Sequence, residues 1–199
     1  NYILSRMDKE GVNYVDVLKD AQELGYAESD PAADVEGSDA ADKIAILSGL
    51  AFGGAINRAN IPTTGINLLE DIDVNYARKL GYGIKLLAIS EKGETQSNRE
   101  DSQPLSVWVE PTLVPEDNPL AGVNGVNNAI LVEGNPIGQV MFFGPGAGSG
   151  PTASAVVADI LNIAGIQSMS GDKIFNLDPL LSAKGWRNCH IAEKKQITK

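Results

Sequence analysis

Along the first third of the chain, apolar residues recur at helical spacing. Val15, Val17, Leu18, Ala21 and Leu24 form one such series, and Gly25 follows it as a stop signal. Tyr2, Ile3 and Leu4 begin a hydrophobic pattern at the very start. The stretch from Glu28 to Ser38 is polar. It contains Pro31 and the carboxylates Glu28, Asp30, Asp34 and Glu36, with Asp39 just beyond. Ser38 is placed to cap a long helix from Asp39 to about Gly53, whose apolar face runs through Ile44, Leu47, Leu50 and Ala51. Another helix is predicted from about Asp73 to Leu80, ended by Gly81.

The period then shortens. Gly83 to Ser90 reads as a strand, Glu91 to Gln103 as a polar loop, and Leu105 to Val114 as a strand that Pro111 marks as an edge or a bulge. Ala129 to Val132 and Ile137 to Phe143 read as two strands around a turn, Glu133 to Pro136. A glycine loop, Gly144 to Gly150, leads into a helix from Pro151 to Ala164 with Gly165 at its end. The remainder, Gln167 to Lys199, is weakly periodic and ends basic, as a linker would. This order predicts an α+β fold: a mixed, mostly antiparallel sheet with helices packed on one face. An exposed sheet face needs a partner, which favours a homodimer through the sheet.

Composition narrows the chemistry. The chain has 199 residues, 43% of them hydrophobic and 21% charged, values ordinary for a globular protein. Its net charge of −10 argues against nucleic acid or an anionic membrane surface as partner. No apolar run reaches the roughly 18 residues of a membrane span. One cysteine, Cys189, and one histidine, His190, rule out a disulfide framework and a Cys/His zinc cluster. No metal site is expected, and sparse cysteine usage suits the cytoplasm. Chemistry is left to Lys, Asp, Glu, Tyr, Ser, Thr and the backbone.

Two stretches could carry that chemistry. Asp39 and Lys43 lie four residues apart at the start of a helix, so their side chains share a face. By spacing alone this is an ordinary ion pair. The acidic loop before it does not fit a calcium loop: with Asp30 first, position 3 would be Ala32 and position 6 Val35. It reads either as a solvated loop or as a pocket for a substrate ammonium, with Lys43 as a neighbouring proton donor. The second stretch, Phe142 to Ile160, runs strand, glycine loop, helix, the order that offers backbone N–H groups to an anion. After Gly144 and Gly146, the third glycine of a dinucleotide fingerprint would be residue 149, which is Ser. The pattern equally suits a tight turn that returns a helix against the sheet.

The residues Ala21, Gly25, Asp30-Pro31, Asp34, Gly37, Asp39 and Lys43 resemble, at this spacing, the signature of the homoserine dehydrogenases. The resemblance continues through Pro119-Leu120-Ala121, Val126 to Ala129, Gly144 to Gly148 and Pro151 to Ala155, and covers about Asn1 to Gly165. It implies interconversion of L-homoserine and L-aspartate 4-semialdehyde with NADP or NAD, on the route to threonine and methionine. It implies Lys43 as the acid/base, Asp39 binding substrate beside it, Glu28 contacting the homoserine amino group and Asp34 lining the same pocket. Gly25 and Gly148 would lie near the cofactor.

The resemblance further implies a nucleotide-binding domain upstream of Asn1, carrying most of the cofactor site. Residues 1–165 would be the substrate-binding and dimerisation domain. Residues 166–199 would be a linker toward a regulatory domain. The fragment alone is then expected to be inactive, and the outer face of the last helix (some of Ala155, Val156, Val157 and Leu161) is expected to be exposed or paired with a neighbour. The competing expectation is a non-catalytic α+β module for dimerisation or amino-acid binding on the same fold.

Overall fold

The structure is a computed structural model describing residues 1–93, 104–146 and 148–170. It is an α+β chain in the order α1 (Tyr2–Glu10), α2 (Tyr14–Glu23), α3 (Ala32–Val35), α4 (Ser38–Phe52), α5 (Asp71–Lys79), β1 (Tyr82–Lys92), β2 (Leu105–Pro115), β3 (Asn127–Gly134), β4 (Gly138–Pro145) and α6 (Ser149–Ser170). The strands form two two-stranded ribbons, β1 with β2 and antiparallel β3 with β4. One parallel bridge, Thr63 to Val109, makes the strand pairing mixed.

The chain divides into two compact units. Among the described residues, the first comprises 1–30, 69–85 and 113 through the end of α6; the second is built from 31–68 and 86–112. The chain crosses from one unit to the other inside β1 and returns inside β2.

In the first unit, α1 packs on α2 and α5. Ile3, Leu4, Met7, Val17, Ala21, Val74 and Ala77 are buried there. These positions are the inward faces of three short amphipathic helices, which are marginal alone and stable only when packed together. Arg6 ties α1 to α2 through Asp20 at 3.1 Å and also pairs with Glu10 at 2.6 Å. Its guanidinium is held charged by these partners and by the Tyr2 hydroxyl.

The second unit has its own core. Ala41 of α4 and Ile61 pack with Leu105, Val107 and Val109 of β2, flanked by Ile44, Ala45, Phe52, Ile56, Leu86 and Ala88. The segment after α4 comes close to the α3–α4 corner at Gly65. A Cβ there would overlap the Val35 carbonyl and the Glu36 backbone. Ile66 N–H donates to Val35 O at 2.7 Å, and Thr64 N–H donates to Val109 O at 2.8 Å. The segment from Thr64 to Ile66 thus links the α3–α4 corner to β2 by main-chain bonds.

Several local expectations shift by a few residues. Ser38 is the first residue of α4, not its cap. Gly37, in the left-handed conformation (φ 84°), precedes the helix, and the Ser38 hydroxyl donates to Ala33 O instead. The polar stretch holds a short helix, α3, because Val35 is buried among otherwise polar neighbours. Helix α5 begins at Asp71, two residues early, since Asp73 accepts the Glu70 N–H at 2.9 Å and starts the turn there. Gly165 does not end the last helix, which continues to Ser170; a single glycine weakens a helix without stopping it. Residues 94–103 of the expected polar loop, and 171–199 of the expected linker, lie outside the described residues.

Candidate active site

Asp39 and Lys43 project from successive turns of α4, and Lys43 Nζ donates to Asp39 Oδ2 at 2.5 Å. The contact follows from helix geometry, which brings i and i+4 side chains side by side. Asp39 is in the first turn, where the helix dipole favours a carboxylate. Both side chains stay accessible, Lys43 at 61% and Asp39 at 48% exposure. Arg58 braces the same helix end. It pairs with Asp42 at 2.8 Å and donates to Ser38 O at 3.4 Å.

The corner before α4 sets the direction of this pair. Gly37 has a left-handed backbone, and a Cβ there would press on Thr63 Cγ2 at 3.2 Å and Val109 Cγ1 at 3.3 Å. Only glycine satisfies both conditions without displacing the core. Asp34 lies exposed on α3 in the same unit, and its N–H donates to Pro31 O at 3.0 Å.

Gly25 and Glu28 belong to the first unit, in the connection that leaves α2. Gly25 adopts φ +71° with open space around it. Tyr26 and Ala27 N–H both donate to Ala21 O, at 2.8 and 3.2 Å, folding the chain back over the helix end. The Tyr26 ring packs against Tyr2, centroids 5.1 Å apart. Glu28 then stands exposed, with its backbone carbonyl accepting from Gln22 Nε2 at 3.0 Å.

The glycine loop is also in the first unit. At Gly146 a Cβ would collide with the Asn128 side chain, and the Gly146 N–H is taken by Val126 O at 3.0 Å. Gly146 is therefore a packing glycine. Gly148 differs: its φ of +117° is closed to side-chain-bearing residues, and its carbonyl accepts the Thr152 N–H that starts α6. A shallow groove of about 230 Å³ lies beside this loop, lined by Asn128 to Ile130 and Phe142 to Gly146.

Sequence patterns did not single out Lys85. It is buried, with its ammonium donating to Val123 O at 2.5 Å and Asn124 Oδ1 at 3.2 Å. Desolvation pushes its pKa below the usual lysine value. Asn1 donates to the same Val123 carbonyl at 3.2 Å and to Asn127 O at 2.7 Å. Lys85 and Asn1 together hold the loop from which β3 starts.

The outer surfaces of β3–β4 and α6 are apolar and open. Ile130 pairs with Phe142 across the ribbon, and Leu131 with Met141. Phe142 and Phe143 are 63% and 58% exposed on opposite faces, so among the described residues neither face of the ribbon is covered. On α6, Val156, Val157 and Leu161 are likewise exposed, as the sequence led us to expect. Among the described residues no helix is long and apolar enough to cross a membrane, and no group of His, Cys, Asp or Glu side chains is arranged to hold a metal ion.

Comparison with known proteins bears on all of these features. The family model described as homoserine dehydrogenase matches residues 1–161. A homoserine dehydrogenase of Synechocystis is 54% identical over 192 residues, which is 96% of this chain and 43% of that protein. One from Neisseria gonorrhoeae is 48% identical over 82% of this chain and 36% of its own length. The chain thus spans less than half the length of these relatives. Among solved structures, a homoserine dehydrogenase from Thiobacillus denitrificans superposes with a TM-score of 0.78 at 44% identity, covering 88% of this chain and 39% of that one. A hyperthermophilic archaeal homoserine dehydrogenase mutant in complex with NADPH gives a TM-score of 0.61 at 33% identity, over 80% of this chain and 42% of that one. On a family match that runs through α4, β4 and the start of α6, the chain belongs to the homoserine dehydrogenase family.

Proposed function

We propose that this chain is the substrate-binding and dimerisation portion of a homoserine dehydrogenase, which interconverts L-homoserine and L-aspartate 4-semialdehyde with NADP or NAD. The observation that carries this reading is the Asp39–Lys43 contact, 2.5 Å long and accessible, inside the part of the chain that matches the family. As an exposed i,i+4 pair it stabilises the helix by only about 0.3–0.5 kcal/mol, so stability gives little reason for it. A proton-transfer role gives a better one.

In this reading Lys43 Nζ gives a proton to the aldehyde oxygen on reduction and takes it from the hydroxyl on oxidation. An ammonium has three N–H donors. Asp39 occupies one and orients Nζ, leaving the others for the substrate oxygen, where the positive charge also stabilises a developing alkoxide. Glu28 accepts the substrate's amino group, and Asp34 lines the pocket.

The glycine loop suits a dinucleotide. Gly148 frees the turn, and at the start of α6 the N–H groups of Ser149 and Gly150 have no partner within the helix, whereas Pro151 has none to offer and Thr152 uses its own on Gly148 O. When bound, the nicotinamide cofactor supplies or accepts the hydride. Gly25 and Gly148 are the residues of this chain that we assign to its neighbourhood. Most of its site is assigned to an upstream domain, and the residues after α6 to a linker.

The open apolar ribbon β3–β4 supports a homodimer through the sheet. The chain's net charge of −10 argues against nucleic acid or an anionic membrane surface as a partner, and a cytoplasmic location suits a biosynthetic enzyme. Homoserine-dependent reduction of NADP tests the assignment. The full-length protein should turn over and this chain alone should not. If neither does, a non-catalytic amino-acid-binding module becomes the better reading.

A further inference from the structure

We propose that Gln22 is a positioning residue for Glu28 and thereby sets affinity for the substrate's amino group. The proposal rests on the assignment of Glu28 above. The connection from Gly25 to Asp30 is held in two steps. Ala21 O first takes the N–H groups of Tyr26 and Ala27. One residue further along α2, the Gln22 side-chain amide takes over, with Nε2 donating to Glu28 O at 3.0 Å and to Ser29 O at 3.2 Å.

A primary amide has two N–H bonds, and two carbonyls use both of them. The donor is half-buried and projects from a helix whose Val17 and Ala21 are buried, which roots its backbone. Glu28 itself is exposed. Its backbone position is therefore set from α2, by a side chain that need not touch substrate. An ammonium-binding carboxylate gains affinity from being held in place beforehand, because ordering it on binding would weaken the complex.

Steady-state kinetics of the full-length protein test this through a double-mutant cycle of Gln22→Met and Glu28→Gln. Gln22→Met removes both donors at nearly constant volume. It should raise KM for homoserine about tenfold, the effect of two lost hydrogen bonds that had held the loop, with kcat and KM for NADP unchanged. In the Glu28→Gln background the same change should add little, because both act on one contact. Should Gln22→Met fail to fold, Gln22→Glu removes the same donors with the chain length kept.

The failures are distinguishable. Unchanged KM in Glu28→Gln would overturn the assignment of Glu28, and the proposal with it. A raised KM in Glu28→Gln with no effect of Gln22→Met, or with effects that simply add, would overturn the role of Gln22 alone.

Discussion

Lys43 Nζ sits 2.5 Å from Asp39 Oδ2 across one turn of α4, and this pair has no other claim to importance than its chemistry. It is open to solvent and contributes little to stability. Around it, Gly37, Gly65 and Val109 fasten the helix end to a strand by close backbone contact. An accessible lysine, oriented by a neighbouring carboxylate on a firmly mounted turn, suits the proton transfer proposed for it.

The mount itself can be tested at Gly65. An added Cβ would overlap the backbone of Val35 and Glu36, which cannot yield as a flexible side chain would. Gly65→Ala should destabilise the protein by about 3 kcal/mol, seen as a lower melting temperature. Gly122→Ala, where nothing lies within 4 Å, is the control and should shift melting by less than about 0.5 kcal/mol. Equal melting of the two variants would remove the close approach from the account.

Much of this was legible in the sequence, for definable reasons. Asp39 and Lys43 could be paired on paper, because residues four apart in a helix share a face, and the residues from Ala21 to Lys43 stood out by their resemblance to a family signature. Strand β2 followed from alternation, and β1 from the change of period after Gly81. What escaped was whatever depends on approach between distant segments. Gly65 carries no local signal, since its reason is the Val35 carbonyl. Lys85 reads as a polar position in a strand until Val123 and Asn124 close over it. Val35 was hidden because one apolar residue among carboxylates has no period.

Lys85 gives a pH dependence. Burial lowers its pKa in the folded state below the unfolded value of 10.5. Between those two values the unfolded chain holds the proton more tightly than the folded one, so stability rises with pH. Below the folded pKa the contribution is constant, and it levels off again above 10.5. Melting curves of wild type and Lys85→Met, taken at rising alkaline pH, should show the wild type gaining stability relative to the variant through that window. A relative loss would show that the carbonyl contacts outweigh desolvation.

The ribbon β3–β4 should be where two copies meet. Phe142 is 63% exposed, and its cross-strand partner Ile130 is 43% exposed. Phe142→Glu would place a charge in a desolvated interface and weaken the dimer by about 100-fold. Sedimentation of the full-length protein at low micromolar concentration should then report half the wild-type mass, with the far-ultraviolet dichroism unchanged. A wild-type mass for the variant would move the interface elsewhere.

The most direct test of the whole account is Lys43→Ala in the full-length protein, assayed with homoserine and NADP. We predict a fall in kcat of about 1000-fold, the size of a lost general acid/base, with NADP affinity changed by less than about twofold. Turnover equal to wild type would take Lys43 out of the mechanism.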